Sequence, residues 1–285
     1  MRAFNTTMRQ HANVAFKVTR SAAVVPSRHM VQQRRGPAPA KGVHFSDEFM
    51  SVLSKSLERE ESRIAEKIGL PGLHLHEMVE EEDIEGTGTL IWAAGVRLSQ
   101  HIVKNRTQEL KGARVLDLGS GTGIVGIAAA CLGAHVMLTD TRDILPQIME
   151  NVHQNGALVE AAGGSATVQE LDWNQPDDEV LDQDYDWVFG SDVTYTEEAL
   201  LPLAKLLRQL VLTNEQCVVK LAHMHRSKEL DRAMRETFHD EGLMLRPVDC
   251  RTTGTTKYED PLHVDEAIAF YRVTLDPALR ELGGN

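Results

Sequence analysis

Val115-Leu116-Asp117-Leu118-Gly119-Ser120-Gly121-Thr122-Gly123 runs directly into Ile124-Val125-Gly126-Ile127-Ala128-Ala129-Ala130. A short apolar run, a glycine-rich turn and an apolar helix in that order are the opening of a βαβ unit. Glycines in the turn let backbone N–H groups approach a ligand that side chains would hold away, and the helix N-terminus lies beside it. In open α/β sheets this places the ligand at the carboxyl edge of the strands. Two ligand classes fit the glycines alone. Gly121-x-Gly123-x-x-Gly126 satisfies the dinucleotide fingerprint, and Asp140, which ends the next apolar run, can serve a ribose in either case. Asp117 separates the two, because a carboxylate two residues before the first glycine repels a pyrophosphate and suits an ammonium.

Outward from that turn, short β-rich runs alternate with helical stretches. The strands are expected at Arg114–Leu118, His135–Thr139, Ala166–Leu171, Asp186–Gly190 and Cys217–Leu221. Helices are expected near Ile124–Leu132, Asp143–Gln154, Glu197–Leu212 and Ser227–Asp240. Leu243–Val248 and Ala267–Leu275 follow with no helical pattern between them and read as a closing hairpin with one antiparallel strand. The fold expected is α/β: a Rossmann-like sheet of seven strands, mostly parallel with one antiparallel strand, and helices on both faces. An N-terminal helical extension precedes it, because Phe49, Val52, Leu53, Leu57 and Ile64 recur near helical spacing between Ser46 and Ile68. Gly69-Leu70-Pro71-Gly72 stops that helix, and Glu80-Glu81-Glu82-Asp83 reads as a solvated loop. The organisation expected is therefore residues 1–45 as a basic arm, 46–85 as helix and acidic loop, and 86–280 as one domain.

Charge is unevenly distributed. The chain carries a formal −12, yet Arg2, Arg9, Lys17, Arg20, Arg28, Arg34, Arg35 and Lys41 precede the first acid, Asp47. The remainder holds 22 Lys and Arg against 42 Asp and Glu. So acidic a body disfavours nucleic acid, and basic protein segments are its more natural partners. The first 45 residues have the composition of an organellar presequence or of a disordered basic arm, so a cytoplasmic or an organellar location is expected. No segment reaches the ~18 apolar residues of a membrane span, and a soluble monomer is expected. Cys131, Cys217 and Cys250 fit neither a zinc knuckle nor a disulfide framework and read as small core residues. His223-x-His225 and His74-x-His76 lack a third ligand at metal spacing, so no metal is expected, and they read as pocket lining or surface.

Asp117-x-Gly119-x-Gly121-x-Gly123 resembles motif I of the class I methyltransferases. Further segments fall in the order of the small seven-β-strand protein-lysine methyltransferases, the group that includes the methyltransferase-like 21 enzymes and the valosin-containing-protein lysine methyltransferase. Thr89-Leu90-Ile91-Trp92-Ala93-Ala94 looks like that group's Val-Trp-Pro segment, with Ala93 in place of proline. Asn151-Val152-His153-Gln154-Asn155 and Leu171-Asp172-Trp173 match later segments, and Gly190-Ser191-Asp192-Val193-Thr194-Tyr195 resembles the group's Asp-x-x-Tyr motif after the fourth strand. The likeness covers roughly Thr87 to Leu275.

The resemblance implies S-adenosylmethionine as cofactor and a lysine-bearing protein as substrate. It implies a cofactor pocket made by Trp92, Asp117, Gly119, Ser120, Gly121, Gly123, Asp140, Trp173 and Ser191. In it Asp117 neighbours the methionine ammonium, Asp140 takes the ribose hydroxyls, and Trp173 lies along the adenine. Asp192 and Tyr195 are the implied catalytic pair, Asp192 orienting the acceptor amine and Tyr195 supplying an aromatic wall. Alternatives remain: a small molecule or another protein side chain as acceptor, or a non-catalytic S-adenosylmethionine-binding assembly factor. Nucleic-acid amino methylation predicts an Asn/Asp-Pro-Pro-aromatic run where Asp192-Val193-Thr194-Tyr195 stands.

Overall fold

In the computed structural model the described residues are 63–77, 87–248 and 268–280. Contacts divide the chain into Met1–Ser46 and Asp47–Asn285, and every described residue belongs to the second unit. The basic arm, most of the expected 46–68 helix, the acidic run 80–83 and Cys250 lie outside the described residues.

Helix α1 is described over 63–68 and ends at Ile68, where Leu70 N–H donates to Ala65 C=O at 3.0 Å. The segment after it is pinned by side-chain amides. Asn155 Oδ1 accepts from His74 N–H at 2.9 Å, and Asn151 Oδ1 accepts from His76 N–H at 2.8 Å. His74-x-His76 is thus a backbone anchor. Both asparagines are fully buried, where an amide must satisfy both its donor and its acceptor.

A 3-10 turn at Thr87–Thr89 leads into α2 (Ala93–Asn105) and α3 (Thr107–Leu110). Then come β1 (Arg114–Leu118), α4 (Ile124–Ala130), β2 (His135–Asp140), α5 (Leu145–Gln154), α6 (Gly156–Ala161) and β3 (Ser165–Glu170). The second half runs α7 (Asp178–Leu181), β4 (Trp187–Ser191), α8 (Glu197–Thr213), β5 (Val218–Met224), α9 (Lys228–Asp240), β6 (Leu243–Pro247), β7 (Ile268–Leu275) and α10 (Pro277–Arg280). The seven strands form one sheet in the order β3-β2-β1-β4-β5-β7-β6. β7 is antiparallel to both its neighbours and the other pairings are parallel, as the sequence predicts.

Strand alternation builds two apolar layers, one on each face. Val115, Trp187, Phe189 and Ala222 point into a core with α2 and α4, while Leu116, Leu118, Val188, Val219 and Leu221 point into a second core with α8 and α9. The strand order reverses between β1 and β4, because the chain moves outward from β1 to β2 and β3 and then returns to the other side of β1. Such a reversal opens a crevice beyond the carboxyl ends of those two strands.

Helix α2 has no counterpart in the expected helices. Trp92 occupies its N-cap without a side-chain capping bond, no acid lies in its first turn, and Gly95 interrupts it. Packing overrides those weak local signals: Ala94, Leu98 and Ile102 are completely buried at four-residue spacing. Among the described residues no helix is long and apolar enough to cross a membrane.

Candidate active site

The crevice at the strand reversal holds a cavity of about 690 Å³, within the size range of small-molecule sites. The glycine loop after β1 forms one wall, and Ser191 at the end of β4 with Asp192, Val193, Tyr195 and Thr196 after it forms another.

Gly121 in the loop has φ +56, and a β-carbon there would lie 2.9 Å from the Gly88 carbonyl oxygen, so a side chain is excluded by both backbone and space. Its N–H donates to Asp140 Oδ2 at 2.9 Å, while Asp140 Oδ1 accepts from Thr141 N–H at 2.8 Å. These bonds aim the carboxylate at the end of β2 into the cavity, with lone pairs left over for a diol. Burial raises the Asp140 pKa, and the two N–H donors oppose that rise. Asn151 closes the back of the loop by donating to Thr122 C=O at 2.8 Å.

Asp117 is not among the residues that line the cavity. It lies beneath the loop, 1% exposed, where Oδ2 accepts from Gly126 N–H at 2.9 Å. A β-carbon on Gly126 would come within 2.8 Å of that oxygen, so glycine is what admits the contact. Desolvation pushes the carboxyl up to about 7, against the opposing hydrogen bonds from Gly126 and Ser120. Gly123 also lies outside the lining, as the left-handed N-cap of α4. In this structure Asp117 braces the loop onto the helix.

On the second wall Asp192 adopts φ 58, the left-handed region, and is the one non-glycine residue to do so among those described. Its N–H donates to Ala222 C=O at 2.7 Å. Its carboxylate is forked by Arg226: Nη1 donates to Oδ1 at 2.7 Å and Nη2 to Oδ2 at 2.6 Å. The guanidinium carbon lies 6.0 Å from the Trp92 ring centroid and 5.9 Å from that of Tyr195, so the cation sits between two partly exposed rings. The hydrogen bonds that Arg226 donates to Asp192 raise its pKa, which keeps it charged. The expected role of Asp192 as acceptor for an amine therefore falls to a carboxylate that already accepts two bonds.

Trp173 packs over the glycine loop, with Cζ2 3.2 Å from where a Gly119 β-carbon would stand. Asp172 beside it turns inward on its own loop, accepting from Asn174 N–H at 2.9 Å, which lowers its pKa. Nine of the expected site residues share the cavity: Trp92, Gly119, Ser120, Gly121, Asp140, Trp173, Ser191, Asp192 and Tyr195.

Arg226 escapes any motif search, since it stands alone between β5 and α9. A topological signal does exist: β4 and β5 are parallel neighbours, so residues just past their ends meet. His223 is also unlike its expected role. It is fully buried, its Nδ1 is 2.7 Å from Thr194 Oγ1, and its Nε2 is 2.9 Å from Asp231 Oδ1. Desolvation lowers the His223 pKa. Asp231 also bonds His225 Nδ1 at 2.7 Å, so α9 supplies the third potential metal ligand that local spacing did not reveal. Each Asp231 carboxylate oxygen is thus paired with one histidine ring nitrogen.

Cavity charge discriminates between the two ligand classes left open by the glycines. Among the described residues, Asp140, Asp143, Asp172, Asp192 and Glu198 line it against a single cation, Arg226. Such a surface repels a pyrophosphate and attracts a cation.

Residues 74–237 match the family model described as lysine methyltransferase. Protein N-lysine methyltransferase METTL21A of Danio rerio is 37% identical over 125 residues, which is 44% of this chain and 56% of that protein. EEF1A lysine methyltransferase 3 of Mus musculus is 38% identical over 125 residues, 44% of this chain and 51% of that protein. The chain thus spans about half the length of the curated relatives it matches. The crystal structure of magnesium protoporphyrin IX methyltransferase from Synechocystis PCC 6803 with bound SAM shares 18% identity at a TM-score of 0.43, over 83% of this chain and all of that chain. The family match covers more than half of the sequence and includes the glycine loop, Asp140, Asp192, Tyr195 and Arg226, and the protein belongs to the lysine methyltransferase family.

Proposed function

We propose that the protein transfers a methyl group from S-adenosylmethionine to the side-chain amine of a lysine in a protein substrate. The observation that carries this reading is that one acidic cavity joins the glycine loop to the tip of β4, so a donor and an acceptor site share one space. The donor set suits the cofactor: Asp140 for a ribose diol, Trp173 for a base, and an excess of carboxylates for a ligand carrying a sulfonium and an ammonium. When bound, S-adenosylmethionine supplies an electrophilic methyl group on sulfur.

The chain's own residues then have to bind, orient and keep dry. An amine attacks only through its lone pair, so it must arrive deprotonated and in line, and holding the two partners in that geometry is the main work. Tyr195 and Trp92 offer flat apolar walls for a lysine stem, and the Asp192 carboxylate offers an acceptor for its N–H. The left-handed backbone at Asp192 fixes where that acceptor points, at a conformational cost of order 1–3 kcal/mol that its bonds to Ala222 and Arg226 offset. The body's acidity supports a basic protein segment as the partner.

The test is incubation of the purified protein with methyl-labelled S-adenosylmethionine and a protein extract, followed by complete hydrolysis and amino-acid mass spectrometry. Label on methyl-lysine is expected. Label confined to another amino acid, a small molecule or a nucleobase would refute the reading.

A further inference from the structure

Arg226 is the one cation among the described residues that line the cavity, and Asp192 is the carboxylate it forks. The acceptor side of the pair is the buried one: the Asp192 side chain is 4% exposed and that of Arg226 30%. A two-point fork of this kind is not displaced by a single ammonium, which binds through point contacts without the planar match. The carboxylate has about four lone-pair sites. The fork takes one on each oxygen, so an entering amine meets an acceptor that can still orient an N–H but whose charge is already cancelled.

That distinction matters because a bare carboxylate would hold lysine as its ammonium form, which has no lone pair to attack with. Asp140, Asp143, Asp172 and Glu198 face the same space from β2, the loops after β2 and β3, and α8, and all of them favour the ammonium. Tyr195 faces the fork from the loop between β4 and α8, and His223 lies behind the wall on β5, bonded to Thr194. Arg226 is what opposes these acids at the acceptor end. Resting on the methyl-transfer reading above, the geometry points to Arg226 as a positioning and specificity-determining residue that makes the acceptor amine enter and react uncharged. It also disfavours arginine as an acceptor, since a guanidinium keeps its proton and cannot enter uncharged.

Two measurements test this. The first is the pH dependence of methyl transfer into the extract proteins for wild type, R226Q and R226K. Loss of the cation raises the amine's pKa, so R226Q should be slower by about tenfold or more near pH 7 and approach wild type near pH 10, while R226K stays within a few-fold throughout. A loss by the same factor at every pH, shared by R226K, would mean that Arg226 only holds the loop, and would overturn the proposal. The second needs no turnover: n-butylamine, a mimic of the lysine side chain, is titrated by NMR into the protein saturated with S-adenosylhomocysteine. Wild type should bind it more tightly near pH 10.5 than near pH 7.5, and R226Q should gain affinity at the lower pH. Tighter binding of the ammonium form by wild type would overturn the proposal even if R226Q fails to fold. Absence of methyl-lysine from wild type at every pH would instead refute the methyl-transfer reading, and the butylamine titration would still judge Arg226.

Discussion

Thr194 Oγ1 lies 2.7 Å from Nδ1 of the fully buried His223, and through that contact the wall carrying Asp192 and Tyr195 is tied to the interior of the sheet. His223 passes the tie on to Asp231 of α9, which also holds His225. Replacing His223 by alanine leaves a cavity and strips Thr194 and Asp231 of a partner. The expected cost is ~2–4 kcal/mol in urea denaturation. Methyl transfer should fall by about tenfold or more, because a displacement of the wall misplaces the acceptor. Affinity for S-adenosylhomocysteine, measured calorimetrically, should change much less, because His223 is absent from the cavity lining.

Asp117 has the opposite kind of burial, a carboxyl whose ionisation the fold resists. Its pKa moves from 3.8 to about 7, so between those values the folded state holds a proton that the unfolded state has released. Stability contributed by this group is therefore present at low pH and declines as pH rises toward 7. Asp117→Asn keeps an acceptor for Gly126 N–H and removes the titration. The ligand-free variant should be more stable than wild type by roughly 2–4 kcal/mol at pH 8, and the difference should vanish near pH 4. Thermal melts across that range would check it.

His101 on α2 accepts from Lys220 of β5, whose Nζ is 2.8 Å from Nε2 deep between helix and sheet. Desolvation and the neighbouring Lys220 lower the His101 pKa from 6.5 to about 4, so the folded protein keeps the ring neutral where the unfolded chain protonates it. This contribution is complete above about 6.5 and is lost as pH falls toward 4. His101→Gln, which retains an acceptor for Lys220, should remove an acid sensitivity of roughly 2–3 kcal/mol across that window. Unchanged acid sensitivity in the variant would place its source elsewhere.

Gly121→Ala probes the loop itself. With φ +56 and the Gly88 carbonyl 2.9 Å from the new methyl, the substitution should destabilise the protein by ~1–3 kcal/mol. It should also weaken S-adenosylhomocysteine binding, since the Gly121 N–H helps aim Asp140. Calorimetry against wild type measures the second effect.

What could be read in the sequence was what short-range pattern encodes. β1 spans the residues expected, and the other strands differ at their ends by one to three residues, because alternation into two apolar layers fixes a strand's middle more firmly than its ends. The glycine loop and Asp140 were legible for the same reason, since each stands at a strand end beside a turn. Helix α2 was not, because it lacks a cap and is held by burial of Ala94, Leu98 and Ile102 against α4 and the sheet. Nor were the pairings of Asp192 with Arg226 and of His223 with Asp231, which join residues that only the β4–β5–α9 arrangement brings together. Asp117 shows a third limit: its position in the motif was plain, but the choice between facing the cavity and bracing Gly126 depended on the side chain's direction.

The most direct measurement of the whole account is a crystal structure with S-adenosylhomocysteine. The expected result has the ribose on Asp140, the adenine against Trp173 and the sulfur facing Asp192 and Tyr195. A ligand bound elsewhere, or one whose sulfur points away from the end of β4, would contradict it.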